Sequence, residues 1–314
     1  MQTTAVEFFS EGARISALWR TPDVVDGPLR AIVQGPGWLG LKDAKLYVRY
    51  HEALTAAGYG VLVIDYRGFG DSGGQRELSP HRQLEDLVNA VTYLTTRDDV
   101  DADAVGTFGT GGGNSILLAA ADPRVRAVVS QVPVADGRDW LHRMRSESDW
   151  LAFLAALDED RRLRVTTGAG RAVHPREEIM VPTAERRATT VKADVDDRIP
   201  SAVSLAAADE ILAYRPLDAA EQLTTPLLVI GVEGDATTPT DHAVALYEAA
   251  RGPRRLVMQR HTTHYAAYDR YWTTVTPLIV DWFDQHLRNG GVVVRSADGL
   301  PDTIDIREDS GHGD

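Results

Sequence analysis

The chain has 314 residues, of which 43% are hydrophobic, and its formal net charge is −13. That length and composition suit one large α/β domain with an insertion better than two independent domains. The negative charge argues against a nucleic-acid or anionic-membrane partner, since either needs clustered Lys and Arg, and favours a small-molecule substrate. No apolar stretch approaches the roughly 20 residues that span a bilayer, and the amino terminus lacks a secretory signal pattern. We therefore expect a cytoplasmic protein without a membrane partner, and we leave a homodimer open.

Short β-branched apolar runs alternate with helical patterns along the chain. This order predicts a mostly parallel central sheet with helices on both faces. The predicted strands are Arg30 to Val33, Val61 to Ile64, Ala104 to Phe108, Ala127 to Gln131, Leu227 to Val232 and Arg255 to Gln259. The predicted helices are Tyr47 to Ala57, Leu84 to Leu94, Ser115 to Ala121, His242 to Ala250 and Pro277 to Leu287.

The alternation stops between Val134 and Leu223. Within that stretch, Asp139 to Leu157 and Pro200 to Tyr214 are predicted as helices with no strand between them. We therefore predict a helical cap inserted into an α/β core of residues 1–133 and 224–288.

Residues 289–314 form the one clear compositional shift, because they are rich in Gly, Asp and Ser. They have no sustained periodic face, which predicts an acidic tail that is either mobile or packed at an edge.

The first local motif is Pro36-Gly37-Trp38-Leu39-Gly40, which directly follows a predicted strand. Acyl chemistry needs hydrogen-bond donors fixed where negative charge develops, and a glycine-bearing loop can aim a backbone N–H there. A plain strand-to-helix turn explains this motif equally well when it stands alone.

The second motif, DYRGFGDSGG after the strand ending at Ile64, contains GxGxxG at Gly68, Gly70 and Gly73. A dinucleotide-binding turn should open a helix immediately after its strand, yet three residues separate this strand from the first glycine. We therefore interpret the motif as a loop and not as a phosphate site.

The third motif is Gly109-Thr110-Gly111-Gly112-Gly113, between a predicted strand and a predicted helix. A nucleophile elbow, GxSxG, holds its middle residue in a strained turn with the side chain directed into the pocket. Here the middle residue is Gly111, which tolerates the backbone but supplies no nucleophile. Neither Thr110 nor Ser115 is expected to replace it. A simple Gly-rich turn remains the alternative.

The fourth feature is a pair of side chains, each just past a predicted strand. Asp235 follows Leu227 to Val232, and His264 follows Arg255 to Gln259. The chain order elbow, acid, histidine matches a hydrolase triad, in which the acid fixes the tautomer of the imidazole. A dinucleotide turn with Asp136 as its ribose acid would leave this pair unexplained.

The remaining histidines and the tryptophans carry weaker signals. His261 lies near His264, but no HExxH motif or carboxylate cluster accompanies it, so no metal is predicted. Trp140 and Trp150 are candidate substrate contacts, although packing of an amphipathic helix explains them equally well. The histidines assigned to the surface or the cap are His51, His81, His142 and His174.

Together these motifs resemble the α/β-hydrolase superfamily, in particular serine esterase and acyl-peptidase-like hydrolases with dienelactone-hydrolase-like cores. The resemblance runs from Val6 to Leu287 and rests on PGWLG, GYGVLVIDYRGFGDSGG, FGTGGG, GDATTP and THYAAY. It implies that Asp235 and His264 are the acid and the general base. It also implies that the backbone N–H groups of Trp38 and Gly112 form the oxyanion hole, and that no cofactor is needed.

Gly111 leaves three hypotheses. In the first, the protein is a serine hydrolase of an ester, amide or C–C bond, and the glycine is an introduced, inactivating change. In the second, the glycine is native, and Asp235 and His264 act directly, either on a water or on a substrate proton as in a lyase, isomerase or decarboxylase. In the third, the chain is a non-catalytic protein that binds a small ligand.

Overall fold

The computed structural model describes residues 1–188, 196–288 and 303–311. Its strands are β1 (Gln2–Ser10), β2 (Ala13–Thr21), β3 (Leu29–Gly35), β4 (Gly60–Ile64), β5 (Val100–Thr110), β6 (Val125–Gln131), β7 (Ala172–Val173), β8 (Val203–Ser204), β9 (Leu227–Val232), β10 (Arg254–Gln259) and β11 (Ile304–Asp309). Its helices are α1 (Lys45–Ala56), α2 (Pro80–Thr95), α3 (Asn114–Ala121), α4 (Gly137–Arg143), α5 (Glu147–Thr167), α6 (Ala184–Ala188), α7 (Ala207–Leu212), α8 (Pro216–Ala220), α9 (Thr240–Ala249), α10 (His264–Arg270) and α11 (Trp272–Leu287), with one π-helical turn at Pro175–Ile179.

Nine of these strands form one sheet in the order β1-β2-β4-β3-β5-β6-β9-β10-β11. The six strands from β4 to β10 run parallel, while β1, β2 and β11 are antiparallel to their neighbours. Helices α2, α3 and α9 pack on one apolar cluster, and α1, α10 and α11 pack on the other. The predicted α/β-hydrolase-type fold is thereby confirmed.

The central strands are buried on both faces because helices cover both faces of the sheet. All residues of β4 and of β9 are buried, and both strands are rich in Val, Leu and Ile. The close packing of helix α11 on the sheet requires a glycine at position 106 of β5, since a Cβ there would lie 2.8 Å from the Phe283 ring. Continuous apolar runs of this kind are typical of parallel sheets, which is why the sequence located these strands.

The three antiparallel strands lie outside the predictions. β1 is mostly exposed, so it lacks the continuous apolar run that marks the central strands. β11 is formed by part of the predicted tail and pairs with β10, where Ile304 lies opposite Gln259. Residues 289–302 and 312–314 of that tail lie outside the described residues.

The stretch between β6 and β9, here called the inserted segment (residues 134–223), is mostly helical but differs from its prediction. The prediction of a single helix from Asp139 to Leu157 is wrong, because α4 ends at Arg143 and α5 begins at Glu147. The N-cap of α5 is Ser146, whose hydroxyl accepts from Asp149 N–H. The expectation of no strand is also wrong, because β7 lies between the two predicted helices and pairs with β8. β8 falls inside the helix predicted from Pro200 to Tyr214, so only α7 (Ala207–Leu212) of that helix forms. No helix among the described residues has the length and apolar character to cross a bilayer.

His51 is a further correction, since it is buried in the core and not at the surface or in the inserted segment. Its Nδ1 lies 2.6 Å from Arg20 Nη1, and its Nε2 contacts Gln34 Oε1. A guanidinium can only donate, so Nδ1 accepts, Nε2 carries the hydrogen and the ring is neutral. Burial and the nearby Arg20 charge lower the pKa of His51 well below its usual value.

Candidate active site

The turn between β5 and α3 lies where the sequence predicted a nucleophile elbow, with Gly111 at its apex. Gly111 has φ of +71°, in the left-handed region that favours glycine. Its N–H donates to Gln131 O at 3.0 Å, which ties the turn to β6. A Cβ added at Gly111 would meet only Gly37 Cα, at 3.7 Å. The turn therefore has room for a side chain that the sequence does not supply.

The two glycines that follow the apex differ in the space around them. A Cβ on Gly112 would make an ordinary contact with Trp38 Nε1, at 3.4 Å, whereas a Cβ on Gly113 would overlap the Pro216 ring. Ser115 packs back against the strand, since a Cβ on Gly109 would lie 2.6 Å from its hydroxyl oxygen. Of these positions, the apex alone combines a positive φ with free space.

Asp235 and His264 are in direct contact, as the sequence predicted for an acid and a base. His264 Nδ1 lies 2.8 Å from Asp235 Oδ2, and both side chains are buried. Since an ionised carboxylate only accepts, Nδ1 carries the hydrogen, which leaves Nε2 of the imidazole for proton transfer.

The carboxylate is also fixed by its own loop. Asp235 Oδ1 accepts from the backbone N–H groups of Thr237 and Thr238, at 2.7 and 3.0 Å. The Thr238 hydroxyl donates to Oδ2 at 3.0 Å. Burial alone would raise the pKa of Asp235, but the hydrogen bond and charge of His264 and the two backbone donors outweigh it and lower that pKa. The carboxylate is thus held ionised and in one orientation.

The two halves of the site lie on the same edge of the sheet. Strands β5, β9 and β10 are part of one parallel set, so the residues after their carboxyl ends share an edge, with β6 and β9 between β5 and β10. A row of side-chain contacts spans that distance. The Trp38 ring lies beside Gly112 and packs edge-on against Trp140, 5.3 Å between ring centroids. Trp140 Nε1 then donates to Thr237 O at 2.7 Å, in the loop that carries Asp235.

Trp150 does not join this row. It is buried in α5, where its ring packs against His142 and Phe153 and receives the Arg138 guanidinium on its face. These contacts match the packing alternative, and a contact of Trp140 or Trp150 with substrate stays a prediction.

Sequence reasoning missed several residues at this edge. Thr238 was not singled out, because a hydroxyl in a turn carries no periodic signal. Tyr47 was treated only as part of a helix, yet its hydroxyl accepts from Gly37 N–H at 3.4 Å, beside the elbow. Val132, at the end of β6, has φ of +46°, which is costly for a β-branched residue and marks local strain. Backbone strain of this kind is invisible in a sequence.

No cluster of three His, Asp or Glu side chains that could hold a metal occurs in residues 1–188, 196–288 and 303–311. The polar side chains paired at this edge of the sheet are Asp235 and His264. An imidazole held by a carboxylate can accept and return a proton.

Comparison with protein families identifies the fold's relatives. Residues 11–266 match the model of the X-Pro dipeptidyl-peptidase (S15) family. The chain belongs to this family. It is therefore an α/β-hydrolase, and hydrolases and acyltransferases are among the relatives of this S15-family protein.

Two curated relatives span most of the S15-family chain. An uncharacterised 31.7 kDa protein from the traX-finO intergenic region of Escherichia coli is 30% identical over 88% of this chain and 97% of its own length. The acyltransferase drtE of Aspergillus calidoustus is 27% identical, over 83% of this chain and 89% of its own.

Solved structures share the fold at lower identity. The α/β hydrolase GrgF from Penicillium sp. sh18 superposes with a TM-score of 0.74 at 21% identity, over 91% of this chain and 99% of that one. DcsB, solved in complex with its substrate analogue, gives a TM-score of 0.77, also at 21% identity, with coverage of 91% and 99%.

Proposed function

We propose that this protein hydrolyses an acyl ester or thioester by direct activation of water. The observation that carries the proposal is the intact, buried Asp235–His264 pair on the same sheet edge as an elbow that has space at Gly111 but no side chain. The acyltransferase relative supports an acyl substrate, and the hydrolase family supports transfer of the acyl group to water.

In the proposed reaction, a water occupies the space beside Gly111. His264 Nε2 removes a proton from this water as its oxygen attacks the acyl carbon. Asp235 offsets the positive charge that the imidazole then carries. The tetrahedral intermediate collapses, the bond to the alcohol or thiol breaks, and His264 returns the proton to that leaving group. One water is consumed, and one carboxylic acid and one alcohol or thiol are released.

The oxyanion of the intermediate needs donors, and we assign the backbone N–H groups of Trp38 and Gly112 to this role. The Trp38 backbone is restrained, because its carbonyl accepts from Gln83 Nε2 at 2.8 Å. Donors fixed in advance stabilise developing charge without reorganisation, and the loss of one typically slows an acyl-transfer enzyme by about 100-fold or more.

The remaining parts of the proposal concern the setting of the site. We propose that the inserted segment acts as a cap over a core of residues 1–133 and 224–288. The hydrogen bond from Trp140 Nε1 to Thr237 O supports this placement, because it joins α4 of the inserted segment to the core loop that carries Asp235. We further propose a small-molecule substrate and a cytoplasmic location, and a homodimer remains a proposal that sedimentation would test.

The proposal is tested by turnover of p-nitrophenyl butyrate and of an N-acetylcysteamine acyl thioester. We expect slow hydrolysis by the protein as it stands and its loss in His264→Ala. Mass spectrometry should find no acyl adduct on the protein during turnover, because no covalent intermediate forms.

Other outcomes contradict this mechanism in distinct ways. Hydrolysis that survives His264→Ala excludes the pair as the base. An inert protein whose Gly111→Ser variant hydrolyses the ester supports an inactivated serine hydrolase. Ligand binding without turnover, unchanged in His264→Ala and Asp235→Asn, supports a binding protein.

A further inference from the structure

We propose that Trp140 is a positioning residue for the Asp235–His264 pair and acts through the peptide bond between Thr237 and Thr238. This inference rests on the proposed function for its effect on turnover, but its main test does not need turnover. The sequence suggested Trp140 as a substrate contact, and the geometry assigns its indole N–H to another partner.

The connection from Trp140 to the imidazole consists of three hydrogen bonds and one peptide unit. Trp140 Nε1 donates to Thr237 O at 2.7 Å. The N–H of that same peptide unit belongs to Thr238 and donates to Asp235 Oδ1 at 3.0 Å. Asp235 Oδ2 then accepts from His264 Nδ1 at 2.8 Å.

A hydrogen bond to the carbonyl of a peptide makes its N–H a stronger donor, because the two groups are conjugated and polarise each other. Trp140 therefore strengthens the bond from Thr238 N–H to the carboxylate. Donors to the charged form of a carboxylate stabilise that form. Loss of the indole N–H leaves more negative charge on Asp235, which raises the affinity of His264 for a proton.

The peptide is also fixed in space, since bonds hold it on both sides. The neighbouring Thr237 N–H donates to Asp235 Oδ1 at 2.7 Å, while the indole holds the Thr237 carbonyl from the opposite direction. Rotation of this peptide would break a buried bond at either end. Asp235 thereby keeps the orientation that aligns the imidazole.

Helix α4, which carries Trp140, is itself firmly held. The Asp136 side chain caps its amino terminus by accepting from Arg138 and Asp139 N–H groups at 2.8 and 3.1 Å. Gly137 N–H donates to Tyr214 O at 2.9 Å, and there is no room for a Cβ on Gly137 beside Ile211 O. The Trp140 indole therefore holds the Thr237 carbonyl, in the loop of Asp235, from a fixed position.

Trp140 also contacts the other half of the site through Trp38, whose backbone N–H we assign to the oxyanion hole. One side chain thus touches the loop of the acid and the loop of the oxyanion donor. Phe at this position keeps a ring against Trp38 and removes only the N–H donor, so Trp140→Phe isolates the hydrogen bond.

The test is the NMR signal of the proton on His264 Nδ1, which lies in the hydrogen bond to Asp235, followed in the ¹⁵N-labelled full chain. In Trp140→Phe we expect this proton to shift downfield, because one donor to the carboxylate is weakened and the bond from Nδ1 strengthens. The matched control is Trp282→Phe, which removes an indole bond of the same kind, to Val128 O at 3.1 Å, on the other side of the sheet. We expect the His264 Nδ1 proton to keep its position in that control.

Turnover provides the second measurement. If the protein hydrolyses the ester, Trp140→Phe should lower kcat by roughly tenfold and leave KM unchanged, because the ground-state contacts of the substrate are intact. Trp140→Tyr, a second variant without an indole N–H, should behave in the same way. Far-UV circular dichroism and chemical denaturation establish that each variant is folded.

Two results would overturn the proposal. An unchanged signal of the His264 Nδ1 proton in both folded variants would leave Trp140 a packing residue. A raised KM with unchanged kcat would make it a substrate contact. A shifted Nδ1 proton in a protein that hydrolyses neither substrate would support the positioning role and count against the proposed reaction, so the two failures are distinguishable.

Discussion

The two halves of the candidate site differ in what they retain. The loops after β9 and β10 carry the proposed acid and base, with four hydrogen bonds converging on the Asp235 carboxylate. The turn after β5, the proposed nucleophile elbow, has glycine at its apex, Gly111, with a positive φ. The first half is thus built from side chains that contact each other, whereas the second has no side chain at its apex.

This difference shows that the shape of the turn does not depend on a nucleophile. The turn is held by the N–H of Gly111 bonded to Gln131 O and by the close packing of Gly113 against Pro216. Neither interaction involves a side chain at the apex. Asp235 and His264, in contrast, are held by hydrogen bonds that their own side chains make. A side chain added at Gly111 should therefore raise activity, whereas removal of the Asp235 or His264 side chain should lower it.

The largest expected effect is a gain of ester hydrolysis when a hydroxyl is added at Gly111. Gly111→Ser places a hydroxyl in open space, on the sheet edge that carries the imidazole, and should raise ester hydrolysis by roughly 100-fold or more through an acyl-enzyme. A fluorophosphonate probe should label the variant covalently, as read by intact-protein mass spectrometry. The double variant Gly111→Ser/His264→Ala should not be labelled, and equal labelling of both would show that the two halves do not act together.

The second prediction tests whether a side chain fits at the apex of the turn, Gly111. Gly111→Ala and Gly168→Ala should each lower the free energy of unfolding by about 1–2 kcal/mol, because both glycines have positive φ and neither added Cβ has a close neighbour. Gly70→Ala should cost more, since its φ is also positive and its Cβ would overlap the Asp65 carboxylate. Urea denaturation measures all three. A loss at Gly111 that matches Gly70 would mean the turn is closed.

The last prediction concerns how the stability contribution of Asp235 depends on pH. The pKa of Asp235 is lowered below 3.8, so its stabilising contribution is complete above that pH and is lost as the pH falls through the folded-state pKa. Asp235→Asn should therefore be less stable than the parent by roughly 1–3 kcal/mol at pH 7. The gap should narrow below pH 3.8, as denaturation at pH 7, 5 and 3.5 would measure. A gap independent of pH would mean the carboxylate charge does not contribute.

The sequence predicted the central sheet well, because burial on both faces leaves a direct mark on composition. The predicted bounds of β9 match the structure, and its six residues are all buried. The pair Asp235 and His264 could likewise be located, since their positions follow from the strands before them. β1 and β11 could not, because these edge strands leave polar residues exposed. β2 is mostly buried, but polar residues interrupt its apolar run.

Contacts between distant segments account for most of what was missed. His51 was assigned to the surface or the cap because its partner Arg20 lies on β2, a strand the prediction omitted. The bond from Trp140 to Thr237 joins residues 97 positions apart, and no local pattern encodes it. Residue types and strand order thus predicted that Asp235 and His264 lie at one edge of the sheet, but not the contacts that hold them.

The three consecutive glycines of the turn have a consequence for how this scaffold could change. A Cβ on Gly113 would overlap the Pro216 ring and lie 2.9 Å from Val134 O, whereas a Cβ on Gly112 or Gly111 would have no neighbour nearer than 3.4 Å. In a library that randomises all three codons, we therefore expect folded members to keep glycine at position 113 and to vary at the other two. A single substitution at position 111 would place a hydroxyl, a thiol or a carboxylate on the sheet edge that carries His264.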